Sequence, residues 1–323
     1  MNRSMNTDIS VSDPLPHLGL LRLAGPDAIS FLQGQISNDA RRLASGSPLL
    51  AAYSSPQGRV VALFHLLPHS SGVMALLPRE IALPTLERLR KFVMRAKVQI
   101  EDVSDQFSVI GMHGAEALAG AGLSVPGTAG YAEHDGIGIA CVGPPAAAAD
   151  AGASRYWVIG RPTDLARHGI AGVANGPGAA ADPRVEHDWR LADIRAGLPQ
   201  VYAATREMFV AQMLNLDLID GISFTKGCFT GQEIIARTQH LGRIKRRLFR
   251  LRLPAGTWAI GQAVQLADGR SGRLTELAQT STGFEALAVL NLATTEAAAD
   301  ASDSESATTA LVDAAELPLP YII

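Results

Sequence analysis

The sequence predicts an α+β fold with more than one domain and a C-terminal β-barrel. The chain has 323 residues, 47% of them hydrophobic, which is enough to build two or three separate cores. In the N-terminal half, strand-like patterns and an amphipathic helix follow an order typical of an antiparallel sheet with helices on one face. In the C-terminal part, short strand patterns alternate with Gly and Asp-Gly turns, as they do in small barrels.

The N-terminal half is predicted to start with a flexible lead, residues 1–16, and then to form a sheet. A helix is expected to begin at Gly25-Pro26, with Pro26 at its first position, and to stop near Gly34. A second helix is expected to open at Pro84, because apolar residues follow it at helical spacing. The predicted strands of this half are 18–23, 49–53, 59–67, 72–77, 97–103 and 107–112.

In the C-terminal half, the region from 115 to 180 is rich in Ala, Gly and Pro, and a predicted helix follows it. That helix is expected to have Asp182 as its N-cap and Pro183 at its first position, and to stop at Gly197. Residues 293–315 are mostly small, polar or acidic, which predicts a disordered insertion. The predicted strands are 137–142, 156–159, 247–253, 263–266, 272–276, 286–290 and 317–323, the last of which would close the barrel.

The composition argues against several classes of protein. A net charge of −3 gives no general attraction to nucleic acid or to anionic membranes. The two cysteines, Cys141 and Cys228, are too few for a disulfide scaffold or for a zinc or iron–sulfur site held by this chain alone. No apolar run follows the polar start, and none reaches the roughly 20 residues that a membrane helix needs. We therefore expect a cytoplasmic protein without a signal peptide or a metal site, and a buried strand position for Cys141.

The stretch Lys226–Glu233, K-G-C-F-T-G-Q-E, concentrates reactive chemistry around one cysteine. Thr230 and Glu233 form the pattern of a capping box, which predicts a helix that begins there and ends near Gly242. Cys228 would lie just before the positive end of that helix, and Lys226 adds a full positive charge nearby. Both charges favour the thiolate, the reactive form of cysteine. The alternative is a buried structural cysteine before an ordinary capped helix.

Two further motifs accompany this stretch. Phe31–Asp39 reads F-L-Q-G-Q-I-S-N-D, and Ser55–Val61 reads S-P-Q-G-R-V-V. Together with K-G-C-F-T-G-Q-E, they resemble the motifs of the YgfZ family, which are folate-binding, GcvT-like proteins that assist iron–sulfur enzymes and support tRNA modification. The resemblance covers most of the chain. It implies a GcvT-like three-domain arrangement around a central cavity that holds tetrahydrofolate or a related reduced folate.

The resemblance also implies domain boundaries and partners. Residues 17–48 and 105–240 would form a discontinuous core domain, 49–104 an inserted α+β subdomain, and 241–323 the C-terminal barrel. The expected partners are the reduced folate and iron–sulfur enzymes or their assembly factors. We expect no direct contact with nucleic acid or membrane, and a monomer in solution.

The candidate site residues come from the same motifs. Cys228 is the expected reactive group, with Lys226 as the second catalytic candidate. The cysteine would take up a one-carbon unit, contact a metal or cluster transiently, or exchange with a partner thiol, and the resemblance places residues 206–215 at the border of the folate pocket. By spacing alone, a solvated helix end is favoured over a ligand pocket for the polar residues near the end of the first helix. The expected folate contacts are Gln33, Asn38, Asp39, Arg59, Gly227, Gly231, Gln232 and Glu233.

Two other functions compete with this one. An aminomethyltransferase of the glycine-cleavage T-protein type has the same overall fold, but it carries paired aspartates after the second motif. Here Ala62 and Leu63 occupy those positions, so charge stabilisation at the folate nitrogen would suffer. The second alternative is an RNA-binding module, suggested by the basic cluster between Arg243 and Arg252. That cluster could meet phosphates or a polyglutamate tail, or it could be a solvated barrel edge guarded by charge.

Overall fold

The computed structural model describes residues 12–126, 130–142, 154–170, 183–240, 244–292 and 311–323. Within these ranges the chain forms sixteen β-strands in three sheets and six α-helices, so the α+β class is confirmed. The helices are α1 Ala28–Gln35, α2 Arg79–Arg90, α3 Ala115–Gly120, α4 Pro162–Arg167, α5 Pro183–Arg195 and α6 Gln232–His240. The strands are β1 Ser12–Pro14, β2 Leu18–Ala24, β3 Leu49–Ser54, β4 Val60–His69, β5 Gly72–Pro78, β6 Gln99–Asp102, β7 Ser108–His113, β8 Tyr131–His134, β9 Ile137–Cys141, β10 Arg155–Gly160, β11 Arg246–Leu253, β12 Ala263–Leu266, β13 Ser271–Thr280, β14 Gly283–Asn291, β15 Leu311–Val312 and β16 Ala315–Leu317.

The first sheet has the strand order β3-β4-β5-β2-β6, and α1 and α2 pack on it. Its strand β4, which lies between β3 and β5, is buried on both faces, because the side chains on each of its two faces pack into a core. Phe64 and Leu66 belong to the core beneath the helices, whereas Leu63 and Leu67 belong to the larger core that joins this sheet to the rest of the chain. The strand therefore fixes this sheet against the rest of the protein.

The second sheet has the order β1-β7-β10-β9-β8, and the third has the order β15-β12-β13-β14-β11-β16. Helix α5 connects the two. Its Trp189 is buried in the shared core, and its Arg190 forms an ion pair of 3.1 Å with Glu276 of β13, a strand of the third sheet. Tyr202 donates a hydrogen bond of 2.6 Å to the same carboxylate. These polar contacts satisfy a carboxylate that burial alone would destabilise.

Both ends of the described chain differ from the prediction. Ser12–Pro14 pairs with β7, and Leu15 is buried, so the predicted flexible lead is wrong for these residues. Strands β15 and β16 fall partly within the predicted disordered insertion. The last strand ends at Leu317 instead of continuing to residue 323, because Pro318 and Pro320 lack the N–H that a ladder needs.

Helix starts also differ from prediction. Helix α1 begins at Ala28, two residues after Pro26. Helix α2 begins at Arg79 and contains Pro84 in its interior, because the apolar face that packs on the sheet starts before the proline. Burial of this face outweighs the backbone hydrogen bond that the proline removes. The predicted N-cap Asp182, the predicted stop Gly242, residues 1–11 and residues 293–310 lie outside the described residues.

Strand pairing bears on the domain division. Strand β2, which the sequence assigns to the core domain, pairs with β5 and β6 of the segment assigned to the inserted subdomain. The pairings of the third sheet leave β15 and β16 at its two edges in the described part of the chain. The basic strand β11 lies between β14 and β16, so it is an interior strand of this sheet.

Candidate functional site

Cys228 lies on an exposed loop that leads into α6. The helix begins at Gln232, one residue later than the capping-box pattern predicts. The side-chain oxygen of Gln232 accepts a hydrogen bond of 3.2 Å from the backbone N–H of Phe229, whereas Glu233 is exposed and pairs with Arg237 at 3.1 Å. The thiol therefore lies four residues before the first helical residue, outside the first turn.

Lys226 clamps this loop onto the C-terminal end of α1. Its ammonium group donates hydrogen bonds to three backbone carbonyls, those of Gln33 (2.7 Å), Ile36 (2.7 Å) and Asn38 (2.9 Å), and it lies 4.7 Å from the ring centre of Phe229. An ammonium has three donors, so all of them are used. Burial lowers the pKa of Lys226 from 10.5 to about 8. The side chain therefore holds the loop in place and has no donor left for Cys228 while the clamp is formed.

Further backbone contacts join the cysteine loop to the first motif. The N–H of Thr230 donates to the carbonyl of Gly34 at 3.2 Å. Ser37 accepts a backbone bond of 3.0 Å from Ser223, and its buried hydroxyl donates to the carbonyl of Gly221 at 2.6 Å. The first motif and the cysteine motif are therefore one structural unit, although they lie far apart in sequence.

The second motif packs against the start of α6 through two glycines. Gly231 has φ +82°, and a Cβ on it would lie 2.6 Å from the carbonyl oxygen of Ser55. Gly58 has φ +71°, and a Cβ there would lie 2.7 Å from the Cβ of Ile234. Both positions require glycine for conformation and for space. All three sequence motifs thus converge around the loop that carries Cys228, with Gly227 exposed beside it.

Two of the expected folate contacts are occupied by structural hydrogen bonds. The buried amide of Asn38 donates to the carbonyls of Leu50 (2.9 Å) and Asp220 (2.6 Å), and its oxygen accepts from the N–H of Asp39 at 2.8 Å. Gln33 accepts from the N–H of Ala40 at 2.7 Å. These side chains shape the end of α1 and the turn that follows it.

Asp39 and Arg59 also have partners within the protein. The Asp39 carboxylate binds the Arg41 guanidinium through two bonds of 2.9 Å and 2.6 Å, which hold the pKa of Asp39 well below its usual range. Arg59 donates to the carbonyl of Met208 at 2.6 Å. The backbone of its neighbour Val60 donates a hydrogen bond to residue 209 and accepts one from residue 207, both of 2.8 Å. The second motif is therefore hydrogen-bonded to the segment 206–210.

That segment contributes a polar group that the motifs alone do not identify. The Nε of Arg206 is buried and has no hydrogen-bond partner within the described residues. Burial raises the pKa of Tyr53, while the positive charges of Arg88 and Arg206 lower it, so both guanidinium groups lie near its hydroxyl. Arg88 is also paired with Glu207 at 3.0 Å. In the sequence, only the position of Arg206 at the start of the segment 206–215 pointed to this residue as a candidate.

The positions of the T-protein aspartates are apolar. Ala62 and Leu63 are fully buried in β4, on its two opposite faces. Neither side chain offers a proton acceptor or a negative charge to a ligand.

The basic cluster and the second cysteine show structural roles. Arg247 makes a bidentate pair with Asp217 at 2.6 Å and 2.8 Å, and Arg250 pairs with Glu285 at 2.6 Å. These partners neutralise two charges of the cluster, on side chains that are only 10% and 15% exposed. Cys141 is half-buried at the end of β9, where it packs against the core of the second sheet.

Comparison with known proteins places the chain among curated bacterial relatives. No model of a protein family matches it. It is 31% identical over 236 residues to the tRNA-modifying protein YgfZ of Colwellia psychrerythraea, an alignment that covers 73% of this chain and 69% of the relative. It is 30% identical over 271 residues to the protein of the same name from Yersinia pseudotuberculosis, covering 77% of this chain and 79% of the relative.

The fold has a solved counterpart. The glycine cleavage system aminomethyltransferase T from Bartonella henselae superposes with a TM-score of 0.59 at 14% identity, covering 87% of this chain and 78% of that one. The fold is therefore GcvT-like. Within the described ranges, no helix is long and apolar enough to cross a membrane. From the extent and identity of the curated matches, the chain belongs to the YgfZ family.

Proposed function

We propose that this chain is a folate-binding accessory protein that supports iron–sulfur enzymes and, through them, tRNA modification, with Cys228 as its reactive centre. The relatives, which are named as tRNA-modifying proteins, and the GcvT-like fold support the proposal. The observation that carries it is the convergence of three motifs on one exposed cysteine. A buried structural cysteine, the alternative reading of the motif, does not fit the exposure of this side chain.

The way the loop is held supports a role for its thiol. Burying the Lys226 ammonium costs free energy, which the three carbonyls of the clamp and the face of the Phe229 ring offset. A loop fixed at such cost presents Cys228 in one orientation to whatever approaches from solvent. Lys226 is in this proposal a positioning residue, and the thiol alone does the chemistry.

A reduced folate suits the polar groups beside the second motif. Its glutamate tail carries carboxylates, which guanidinium groups bind through charge-assisted hydrogen bonds. Arg206 has a free buried donor, and Arg88 lies near the same Tyr53 hydroxyl. We assign the tail to Arg206. Asn38 and Gln33, whose side chains already hold the backbone, would shape the pocket without contacting the ligand.

Aminomethyl transfer is the less favoured function. The folds are alike, but Ala62 and Leu63 cannot replace a carboxylate in stabilising charge on the folate. Binding of the folate without turnover, or thiol chemistry at Cys228, is the simpler reading of these residues.

The proposal extends to the arrangement of the chain and its surroundings. The three sheets would correspond to three domains around a central folate cavity, with β2 grouped with the sheet it pairs in and the third sheet curled towards a barrel. The partners would be iron–sulfur enzymes or their assembly factors. The chain would bind them as a monomer in the cytoplasm. The free state of Cys141 and Cys228 supports a reducing compartment.

Replacement of the cysteine tests the proposal. A Cys228→Ser chain should fold normally but fail to restore iron–sulfur enzyme activity and tRNA modification in a bacterial host that lacks its own relative. Cys141→Ser is the matched control and should restore both, because that thiol packs in a strand. Full complementation by Cys228→Ser would refute the assignment of Cys228 as the reactive centre.

A further inference from the structure

Two histidines and an aspartate meet at a surface of the second sheet, away from Cys228. His134 ends β8, Asp135 lies in the β8–β9 turn with φ 50°, and His168 follows α4. The Nε2 atoms of both histidines lie 3.6 Å from Oδ2 of Asp135. All three donor atoms lie within 4.8 Å of one another.

The distances fit shared ligands better than direct hydrogen bonds. At 3.6 Å, neither imidazole nitrogen is close enough to hydrogen-bond to Asp135, since N···O bonds measure about 2.7–3.2 Å. Two atoms bound tetrahedrally to one zinc ion at about 2.0–2.2 Å stand about 3.3–3.6 Å apart. Both distances from the imidazole nitrogens to Asp135 therefore match those of atoms that share a metal ion.

The orientation of His168 is also that of a metal ligand. Its Nδ1 lies 3.2 Å from the carbonyl oxygen of Ala121, which can only accept, so Nδ1 carries the hydrogen of this bond. The lone pair of the neutral ring is then on Nε2, the atom that faces Asp135. A backbone carbonyl that fixes the tautomer in this way is the usual second partner of a metal-bound histidine.

The surrounding charge favours a cation. Asp164 lies beside the same turn, next to Gly136, and it neutralises the positive charge of Arg167. His134 and Asp135 are exposed, with 45% and 64% of their side chains accessible, so water can complete the coordination. Two imidazoles and one carboxylate form a donor set that suits zinc and related transition metals.

We propose that His134, Asp135 and His168 bind one divalent transition-metal ion, with Zn²⁺ as the best fit and water in the remaining position. The ion links the β8–β9 hairpin to the end of α4. Within the described residues the cluster is separate from the cysteine loop, so this site is independent of the folate proposal.

Calorimetric titration with Zn²⁺ in the presence of a competing chelator tests the site. The protein is the untagged full chain, freed of metal, in a Cys228→Ser background, because a thiolate also binds zinc. The expected result is one Zn²⁺ per chain, weakened at least about tenfold by His168→Gln and by Asp135→Asn. The histidine His187, on α5, provides the control: His187→Gln should bind zinc as the parent does.

The Asp135→Asn variant is expected to fold normally, because asparagine tolerates the left-handed backbone at this position. Absorption of bound Co²⁺ adds a second readout, and in that variant the d–d bands of a tetrahedral site should need at least about tenfold more Co²⁺ to reach half their intensity. Absence of stoichiometric binding, or binding unaffected by both substitutions, would overturn the proposal.

Discussion

Replacing Lys226 by methionine removes the clamp while keeping most of the side chain's volume. Three charge-assisted hydrogen bonds contribute about 1.5–3 kcal/mol each, or about 5–9 kcal/mol together. The pKa of Lys226, lowered from 10.5 to about 8, corresponds to about 3 kcal/mol against the buried ammonium. The difference leaves about 2–6 kcal/mol, and we expect the free energy of unfolding to fall by about 3 kcal/mol.

Urea unfolding at pH 7 measures this change directly. Lys91→Met, at the exposed end of α2, is the matched control and should change stability by less than about 0.5 kcal/mol. In Lys226→Met the loop should also lose its fixed orientation, so hydrogen exchange at residues 227–230 should rise while exchange in β4 stays low. A Lys226→Met protein as stable as the wild type, with unchanged exchange in the loop, would refute the reasoning.

Three further predictions concern the glycine contact, acid stability and the folate pocket. Gly231→Ala should destabilise the protein by more than about 2 kcal/mol in thermal or urea unfolding, because its φ is positive and its Cβ would strike the Ser55 carbonyl, whereas Gly227→Ala should be nearly neutral. Burial lowers the pKa of His65 to about 4, so as the pH falls below 6.5 the unfolded chain takes up a proton before the folded protein does. His65 should therefore contribute about 2 kcal/mol to the loss of stability between pH 7 and 5, and His65→Phe should abolish this contribution. Arg206→Gln should weaken tetrahydrofolate binding at least about tenfold in calorimetry without lowering the melting temperature, since a single charge-assisted bond is lost.

Each of these has a clear contrary outcome. Equal stability of the Gly231→Ala and Gly227→Ala proteins would show that the two motifs do not pack as described. An acid response unchanged by His65→Phe would assign the sensitivity to another group, such as the buried His17, whose pKa is also lowered to about 4. If Arg206→Gln binds folate with unaltered affinity, the assignment of the glutamate tail to Arg206 is wrong.

The strands were predictable because their signal is local. Alternation and turn residues placed β2, β3, β5, β7 and β10 within one or two residues of their observed bounds. The start of α2 was not predictable in this way, because its apolar face packs on the sheet from Ile81 onwards, before Pro84, where the sequence predicted the helix to open. Likewise, Ser12–Pro14 is ordered only because β7 offers a partner edge more than ninety residues away.

The site shows the same limit. The motifs and the special status of Cys228 could be identified from the sequence, since Gly, Lys and Cys in that spacing carry a local chemical argument. The clamp could not, because the bond from Lys226 to Gln33 spans 193 residues. Polar residues near a helix end resemble ligand contacts in sequence, yet in Asn38 every amide group serves the backbone. The group of His134, Asp135 and His168 likewise depends on a turn and a helix end that only folding brings together.

The most direct test of the central claim is calorimetric titration of the purified chain with tetrahydrofolate, beside a Cys228→Ala variant. The account predicts one folate per chain and similar affinity for both proteins, because the thiol is exposed on its loop and the folate contacts are assigned to the region of Arg206. Absence of binding by either protein would contradict the folate proposal and leave the GcvT-like fold as a scaffold for Cys228 alone.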